Sequence, residues 1–295
     1  MKLTRLAALV IVPAAFSLAA CSGGSSGVLG NNVGTGGQQA NIRFVNGSPD
    51  LGSNIDIYLQ ATGAAAPGAP AAPSTTNMPY GETSLFIAEP IVAYTAIVRA
   101  AGSSSGSTAL AGLACPIPQL AANAKYTVVI SGTNANGHTC RLFQDFDYTT
   151  TPQYRVHDAA SSLGASIEYG TTNGAAPAAF NAANVATLGS SALASGAAYT
   201  QVQPAGPIPN PTSDPVFVIG TTQAGGNIVA TDTLDAKSLF ASGSLTQPNT
   251  AGSLNFPNTA GTSLFAIDCT PASVAALPGV QCNSGAALVG TFDTL

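Results

Sequence analysis

The sequence predicts an all-β chain: two tandem Ig-like antiparallel β-sandwich units behind a signal peptide and a flexible tether. Three observations predict it. With only 7% charged residues the chain is not a disordered polyelectrolyte. With 32 Gly and 20 Pro it lacks the Leu, Glu, Lys and Arg richness of long helices, which leaves the loop-rich all-β class. Residues 42–58, IRFVNGSPDLGSNIDIY, read as strand, turn and strand, and a weakened copy returns at residues 154–169.

Residues 1–20 read as a signal peptide. Lys2 and Arg5 are its basic region, and residues 6–18 are an apolar stretch too short to span a bilayer, interrupted by Pro13. It ends in Leu18-Ala19-Ala20-Cys21. This resembles the lipobox of bacterial lipoproteins: an aliphatic residue, two small residues, then Cys. The resemblance implies cleavage before Cys21 and lipidation of its thiol, so the membrane is an expected partner through Cys21. Ser22 in place of Asp after the Cys implies the outer membrane. Several acyl chains on one residue anchor stably, because each buried methylene adds about 0.8 kcal/mol. Residues 21–39 are Gly-, Ser- and Asn-rich, a flexible tether.

Without residues 1–20 the chain keeps six basic and thirteen acidic residues, a net charge of −7. That excludes nucleic acid as a partner and peripheral binding to anionic headgroups. Four cysteines remain besides Cys21: Cys115, Cys140, Cys269 and Cys282. An even number in an exported chain implies disulfides. Three connectivities are possible. The favoured one, Cys115–Cys140 with Cys269–Cys282, keeps each bridge within one local unit. No C-x-x-C occurs and the two His are not spaced as ligands, so no zinc site is expected.

The first unit spans residues 40–150. Ile42 and Phe44 alternate with Arg43 and Val45, the period of a half-buried strand. Gly47-Ser48-Pro49-Asp50 is a turn. Ile55 and Ile57 then point inward, leaving Asp56 outward beside Arg43. Residues 61–76 are an Ala/Pro/Gly insertion, read as an extended loop. Strands are expected at 84–88, 94–99, 108–114, 125–131 and 140–146, with a polar loop at 103–107. The run 125–130, KYTVVI, has the strongest β-propensity and belongs in the sheet centre.

The second unit, residues 151–295, restarts the pattern. Arg43 aligns with Arg155, Phe44 with Val156, Leu51 with Leu163, Ile55 with Ile167 and Asp56 with Glu168. Beyond that, Tyr199-Thr200 echoes Tyr94-Thr95, and 216–222 echoes 128–133. The retained Arg–acid pairs suggest cross-strand contacts, Arg43 to Asp56 and Arg155 to Glu168, pinning register for about 0.2–1 kcal/mol each. After Leu234 the duplication gives no guide. Strands at 263–268 and 286–292 are expected as extra C-terminal strands of this unit.

These landmarks resemble the domain-of-unknown-function family numbered 4397, β-rich domains of bacterial envelope proteins, often in tandem. The matching residues are Arg43, Ser48-Pro49-Asp50, Ile55-Asp56-Ile57-Tyr58, Pro79-Tyr80-Gly81 and Tyr126-Thr127-Val128. Where that family carries a His, Asn46 stands in the first unit and Asp158 in the second, with His157 one position earlier. The resemblance implies an envelope location and a β-rich fold, and no activity.

Chemistry is hard to find in this chain. Two Gly-Ser runs, 23–27 and 102–106, satisfy G-x-S-x-G but lie in low-complexity loops rather than strand–turn–helix. His138 sits in a hairpin turn and reads as solvated. His157, beside Asp158, reads as structural. Asp145 and Asp147 share a strand face without a calcium loop, and Asp232 and Asp235 near Lys237 read as a solvated turn. No nucleotide-binding motif occurs. No catalytic residue, cofactor or metal is expected. The expected role is structural or interactive, in a lipid-anchored envelope protein whose partner is another envelope protein or a polysaccharide. The alternative is a carbohydrate- or peptide-binding surface at Tyr58, Pro79 and Tyr80. An envelope hydrolase is the least favoured reading.

Overall fold

The computed structural model describes residues 38–62, 72–148, 153–163, 166–173, 179–180, 187–192, 199–202, 205, 215–222, 228–235, 238–241, 243–245 and 260–294. The expected signal peptide, the expected lipidation site Cys21, nearly all of the expected tether, residues 63–71 of the insertion, the expected unit boundary at 149–152 and Lys237 lie outside the described residues.

The first half contains β1 (Gln39–Asn46), β2 (Ile55–Ala61), β3 (Thr75–Met78), β4 (Ile87–Pro90), β5 (Tyr94–Ala100), β6 (Ala114–Ile117), β7 (Lys125–Ser131) and β8 (Thr139–Asp145). The second contains β9 (Tyr154–Asp158), β10 (Ser166–Asn173), β11 (Ala179–Phe180), β12 (Thr187–Ala192), β13 (Thr200–Val202), β14 (Pro215–Thr222), β15 (Ile228–Asp235), β16 (Phe240–Ala241), β17 (Ala260–Asp268) and β18 (Ala286–Thr294). The all-β sandwich fold is borne out. Two expected strands shift. The one expected at 84–88 runs from Ile87 to Pro90 instead. Ala111 and Gly112 take positive φ (47° and 71°), so 108–114 turns through a short 3-10 segment and the strand begins at Ala114.

Four sheets form, in the orders β3-β2-β5-β6, β13-β8-β7-β1-β4, β16-β18-β17-β9 and β11-β15-β14-β10-β12. In the first half the β-branched and aromatic run of β7 takes an interior place, between β1 and β8. Ile42, Phe44, Tyr126, Val128 and Ile130 face Ile55, Ile57, Ala96 and Val98 of the opposite sheet, and together they make the first core. Consecutive strands β1 and β2 therefore lie in different sheets. β1 re-enters between β4 and β7 and runs parallel to β7, a pairing that needs a long crossover. β9–β17, β8–β13 and β16–β18 are parallel as well, so the sheets are not wholly antiparallel.

The second half repeats this plan. β9 runs parallel to β17 as β1 does to β7, and β17 pairs with β18 as β7 does with β8. β10 pairs with β12 and β14 as β2 pairs with β3 and β5. Two sequence expectations are corrected here. The C-terminal strands are not extra: β17 and β18 take the places of β7 and β8. The segment at 216–222 is the counterpart of β5, not of β7. The nominal echo at Tyr199–Thr200 leads into β13, which leaves its own half and pairs with β8.

The halves are not beads on a string. The outer face of the first half's inner sheet carries Val45, Val129 and Phe143, and these pack into one cluster with Phe265 and Ile267 of the second half. The result is four sheets deep, with the two inner sheets face to face. The expectation of a half-buried β1 fails for this reason: Arg43 and Val45 are as buried as Ile42 and Phe44. The approach is close at Gly47, where a Cβ would lie 2.7 Å from Ile267 Cγ2 and 2.9 Å from the Ile130 carbonyl oxygen. Both expected disulfides form, Cys115–Cys140 and Cys269–Cys282.

Candidate functional site

The chemistry-bearing side chains gather where the inner sheets meet. Arg43 on β1 is register partner of Thr127 on β7, which is partner of Phe143 on β8, with Asp145 two residues on along the same face. In the second half Arg155 pairs with Ser263 and Ser263 with Thr291, and Asp293 follows two residues on. The fold thus places an Arg–hydroxyl–Asp trio at the same station in each half.

Within each trio the hydroxyl is the relay. Thr127 Oγ1 accepts from Arg43 Nε at 2.8 Å and donates to Asp145 Oδ2 at 2.6 Å. Ser263 Oγ accepts from Arg155 Nε at 2.9 Å and donates to Asp293 Oδ2 at 2.6 Å. The trios also cross. Arg43 Nη1 donates to Asp293 Oδ1, and Arg43 Nη2 donates to Ser263 Oγ at 2.7 Å. Arg155 Nη2 binds Asp293 Oδ2 at 2.6 Å and stands 3.6 Å from Asp145 Oδ2. Two further groups close the cluster. Tyr148 donates to Asp293 Oδ2 at 2.8 Å while its ring underlies Arg155. His157 Nδ1 lies 3.0 Å from the Leu264 carbonyl, which only accepts, so that nitrogen carries a proton; Nε2 faces Asp145 Oδ1 at 2.7 Å, and the ring stacks on Phe265.

Water is excluded, so the charges govern one another. Burial favours the neutral form of Asp293, but the Arg43 and Arg155 guanidiniums outweigh it and hold the carboxyl at about 2. Asp145 is held well below the ordinary carboxylate range: burial opposes this, and Arg155, His157 and Arg43 overcome it. Burial, with Asp293 adding, pushes the Tyr148 phenol well up, so it stays a donor. Two guanidiniums, two carboxylates and the His157 imidazole, joined through shared hydroxyls, form a satisfied network. Such a network gives little net stability over an apolar core, but breaking it from one side is costly.

The expected Arg43–Asp56 and Arg155–Glu168 contacts are not made. β1 and β2 belong to opposite sheets of one sandwich, as do β9 and β10, so these residues face away from each other. Asp56 instead accepts from the backbone N–H of Asn77 at 2.7 Å and of Gly102 at 2.8 Å, tying two turns together. The second trio went unseen in the sequence because β17 and β18 lie beyond the recognisable copy. The available signal was Tyr126-Thr127-Val128 against Thr262-Ser263-Leu264, each a small hydroxyl residue at one strand station.

The candidate binding surface is spread apart and largely used internally. Tyr58 is buried, donates to the Ser103 carbonyl and lies under Arg99. Pro79 and Tyr80 are half-buried, and Tyr80 donates to the Asp268 carbonyl of the other half at 2.8 Å. Their neighbour Gly81 lies against the second half too, where a Cβ would stand 2.7 Å from Leu277 Cδ1. His138 is not solvated: its side chain is 5% exposed and is held by Ser48 Oγ at 2.8 Å and Asn134 Oδ1 at 3.0 Å. Asp50 Oδ1 lies 3.6 Å from His138, so a serine, a histidine and an acid do meet. But Ser48 is buried, donates to the Gly132 carbonyl, and offers no approach to a substrate. Asp232 is no solvated turn. It is buried on β15, accepting from the Leu288 N–H and from Asn283, and burial pushes it up to about 6. Asp147, apart from Asp145, pairs with Lys125 at the surface. Among the described residues no group of three or more His, Cys, Asp or Glu could hold a metal ion.

Comparison with protein-family models and with curated proteins finds no match to this chain. The class that fold and site define is an all-β sandwich protein with a buried charge cluster between its halves.

Proposed function

We propose that this chain is a lipid-anchored cell-envelope protein with a structural or interaction role, tethered through Cys21 at the outer membrane and related to the domain-of-unknown-function family numbered 4397. The observation that carries the scaffold reading is the fate of its reactive groups. Arg43, Arg155, Asp145, Asp293 and His157 are all engaged in fastening one half to the other, and none faces a substrate. Two disulfides suit an exported chain. The lipobox-like Leu18-Ala19-Ala20-Cys21 supports the anchor. No helix among the described residues is long and apolar enough to cross a membrane.

Cys21→Ser tests the anchor. The wild-type chain is expected in the membrane fraction and the variant in the soluble fraction, and a variant that stayed with the membrane would refute lipid tethering. A fluorophosphonate probe tests the scaffold role. Covalent labelling of Ser48 would replace that reading with a hydrolase.

A further inference from the structure

Of the buried acids outside the cluster, Asp158 has neither carboxyl oxygen hydrogen-bonded. Asp158 ends β9 at the station Asn46 holds at the end of β1: Asn46 is register partner of Ile130, and Asp158 of Ala266, on equivalent strands. The next residues keep the correspondence, since Gly47 N–H donates to the Ile130 carbonyl and Ala159 N–H to that of Ala266. In the first half the side chain is a neutral amide whose nitrogen donates to the Met78 carbonyl. In the second it is a carboxyl only 1% exposed, and neither oxygen has a hydrogen-bond partner.

The surroundings do not welcome a charge. Arg141 from β8 and Asp268 from the end of β17 are the charged groups that act on Asp158, and they act in opposite senses. Arg141 makes no hydrogen bond to it. Asp268 is itself occupied, accepting from the Ser161 N–H and hydroxyl and, across the joint, from the Gly132 N–H at 2.7 Å. Arg155 and His157 on the same strand turn the other way, into the cluster. An ionised carboxylate without donors in such a place costs several kcal/mol. Consistently, burial pushes Asp158 up to about 7, with Asp268 adding and Arg141 opposing.

We propose that Asp158 is a proton-operated latch at the end of the joint: neutral, it leaves the turn at residues 158–163 closed; ionised, it loosens that turn and the Gly132 hairpin that Asp268 clamps to it. The Asp268 clamp makes the coupling local, since Ser161 and Gly132 share one carboxylate. The inference needs only the fold and does not rest on the anchor or on any partner.

Amide hydrogen exchange of the full-length protein, from about pH 5 to about pH 9 and divided by intrinsic rates, tests the latch. In the wild type, protection of segments 158–163 and 129–134 is expected to fall as pH rises from about 5 towards about 7, by up to roughly tenfold per pH unit, and to level off above that. In Asp158→Asn it should stay flat. Identical profiles in the two proteins would overturn the proposal, as would an equal fall in β2 and β5. If the variant does not fold, the wild type still decides. Flat protection sinks the latch, and a fall confined to these two segments supports it.

Discussion

Arg43 Nη1 donates to Asp293 Oδ1 across the joint, a bond between residues 250 positions apart. Arg155 reciprocates by approaching Asp145. Each guanidinium therefore answers to a carboxylate of its own half and to one of the other. That reciprocity is the pattern of an isologous dimer interface, here between two halves of one chain. The duplication thus copied more than a fold. It copied one face of the inner sheet, and that face is complementary to itself.

Asp293→Asn is expected to be severely destabilising. It leaves two buried guanidiniums facing one carboxylate and puts an amide NH2 where an acceptor is needed, either by Arg43 or by Ser263, Arg155 and Tyr148. Breaking a buried ion pair from one side costs about 3–5 kcal/mol. The loss should appear as a lower urea midpoint in equilibrium unfolding. A shift equivalent to under about 1 kcal/mol would mean that the cluster is not closed to water. Arg43→Lys should also cost stability, because Nε, Nη1 and Nη2 each have their own acceptor and an ammonium cannot replace that fork.

The pH profile of stability follows from the directions of the shifts. Asp145 and Asp293 titrate lower in the folded chain than the ordinary 3.8, with Asp293 at about 2. Their contribution is whole above about pH 4 and is lost as pH falls through about 2. Asp232 and Asp158 are raised, to about 6 and about 7. Their contribution is whole below about pH 4 and is lost as pH rises through those values. The two trends leave an optimum near pH 4 to 5, on the acid side of neutrality. Thermal unfolding followed by circular dichroism across pH should show Tm highest there. A maximum above about pH 7 would contradict the assignment of these four groups.

The sequence made strands and bridges legible where the signal was local. β7 stands out because five of its residues are aromatic or β-branched in a row. The disulfides were readable because each closes a short loop. The site was not legible, for a physical reason. Alternation says which residues share a face of a strand, but not what covers that face. Arg43 alternates with Phe44 as a solvated arginine would, and nothing nearby in sequence announces that Phe265 and Asp293 will cover it. Likewise strand, turn, strand at 42–58 looks like a hairpin, whereas Gly47 and the turn after it carry the chain from one sheet to the other. That one difference removes Asp56 from reach of Arg43.

Gly261 sets the floor under Tyr148. A Cβ there would lie 1.9 Å from Tyr148 Cε2, so Gly261→Ala forces the ring aside. Displacing the ring takes a hydroxyl donor from Asp293 and a π-face from Arg155. The expected cost is about 1–3 kcal/mol, from overpacking and a weakened network. Tyr148→Phe separates the two effects, keeping the ring and removing the donor. It should cost about 0.5–1.5 kcal/mol. Gly261→Ala must then be the more destabilising of the two in chemical unfolding, and the reverse order would mean that the ring does not rest on Gly261.

The face-to-face joint also predicts what happens when the chain is cut. A protease site inserted within residues 149–152 would sever the peptide between Tyr148 and Gln153 without touching either inner sheet. The cleaved halves are expected to co-elute in size-exclusion chromatography as one species of the uncut size. They should stay together in about 1 M salt, where the Debye length is roughly 3 Å, because buried charges are screened far less than exposed ones. Strand β13 strengthens the case, since it comes from the second half and is hydrogen-bonded into the first half's sheet beside β8. Independent beads on a tether would separate after cleavage whatever the salt. Combining the cut with Asp293→Asn then isolates the cluster. If the apolar contacts of Val45, Val129 and Phe143 suffice alone, the cut variant stays paired; if the charges specify the joint, it dissociates on dilution.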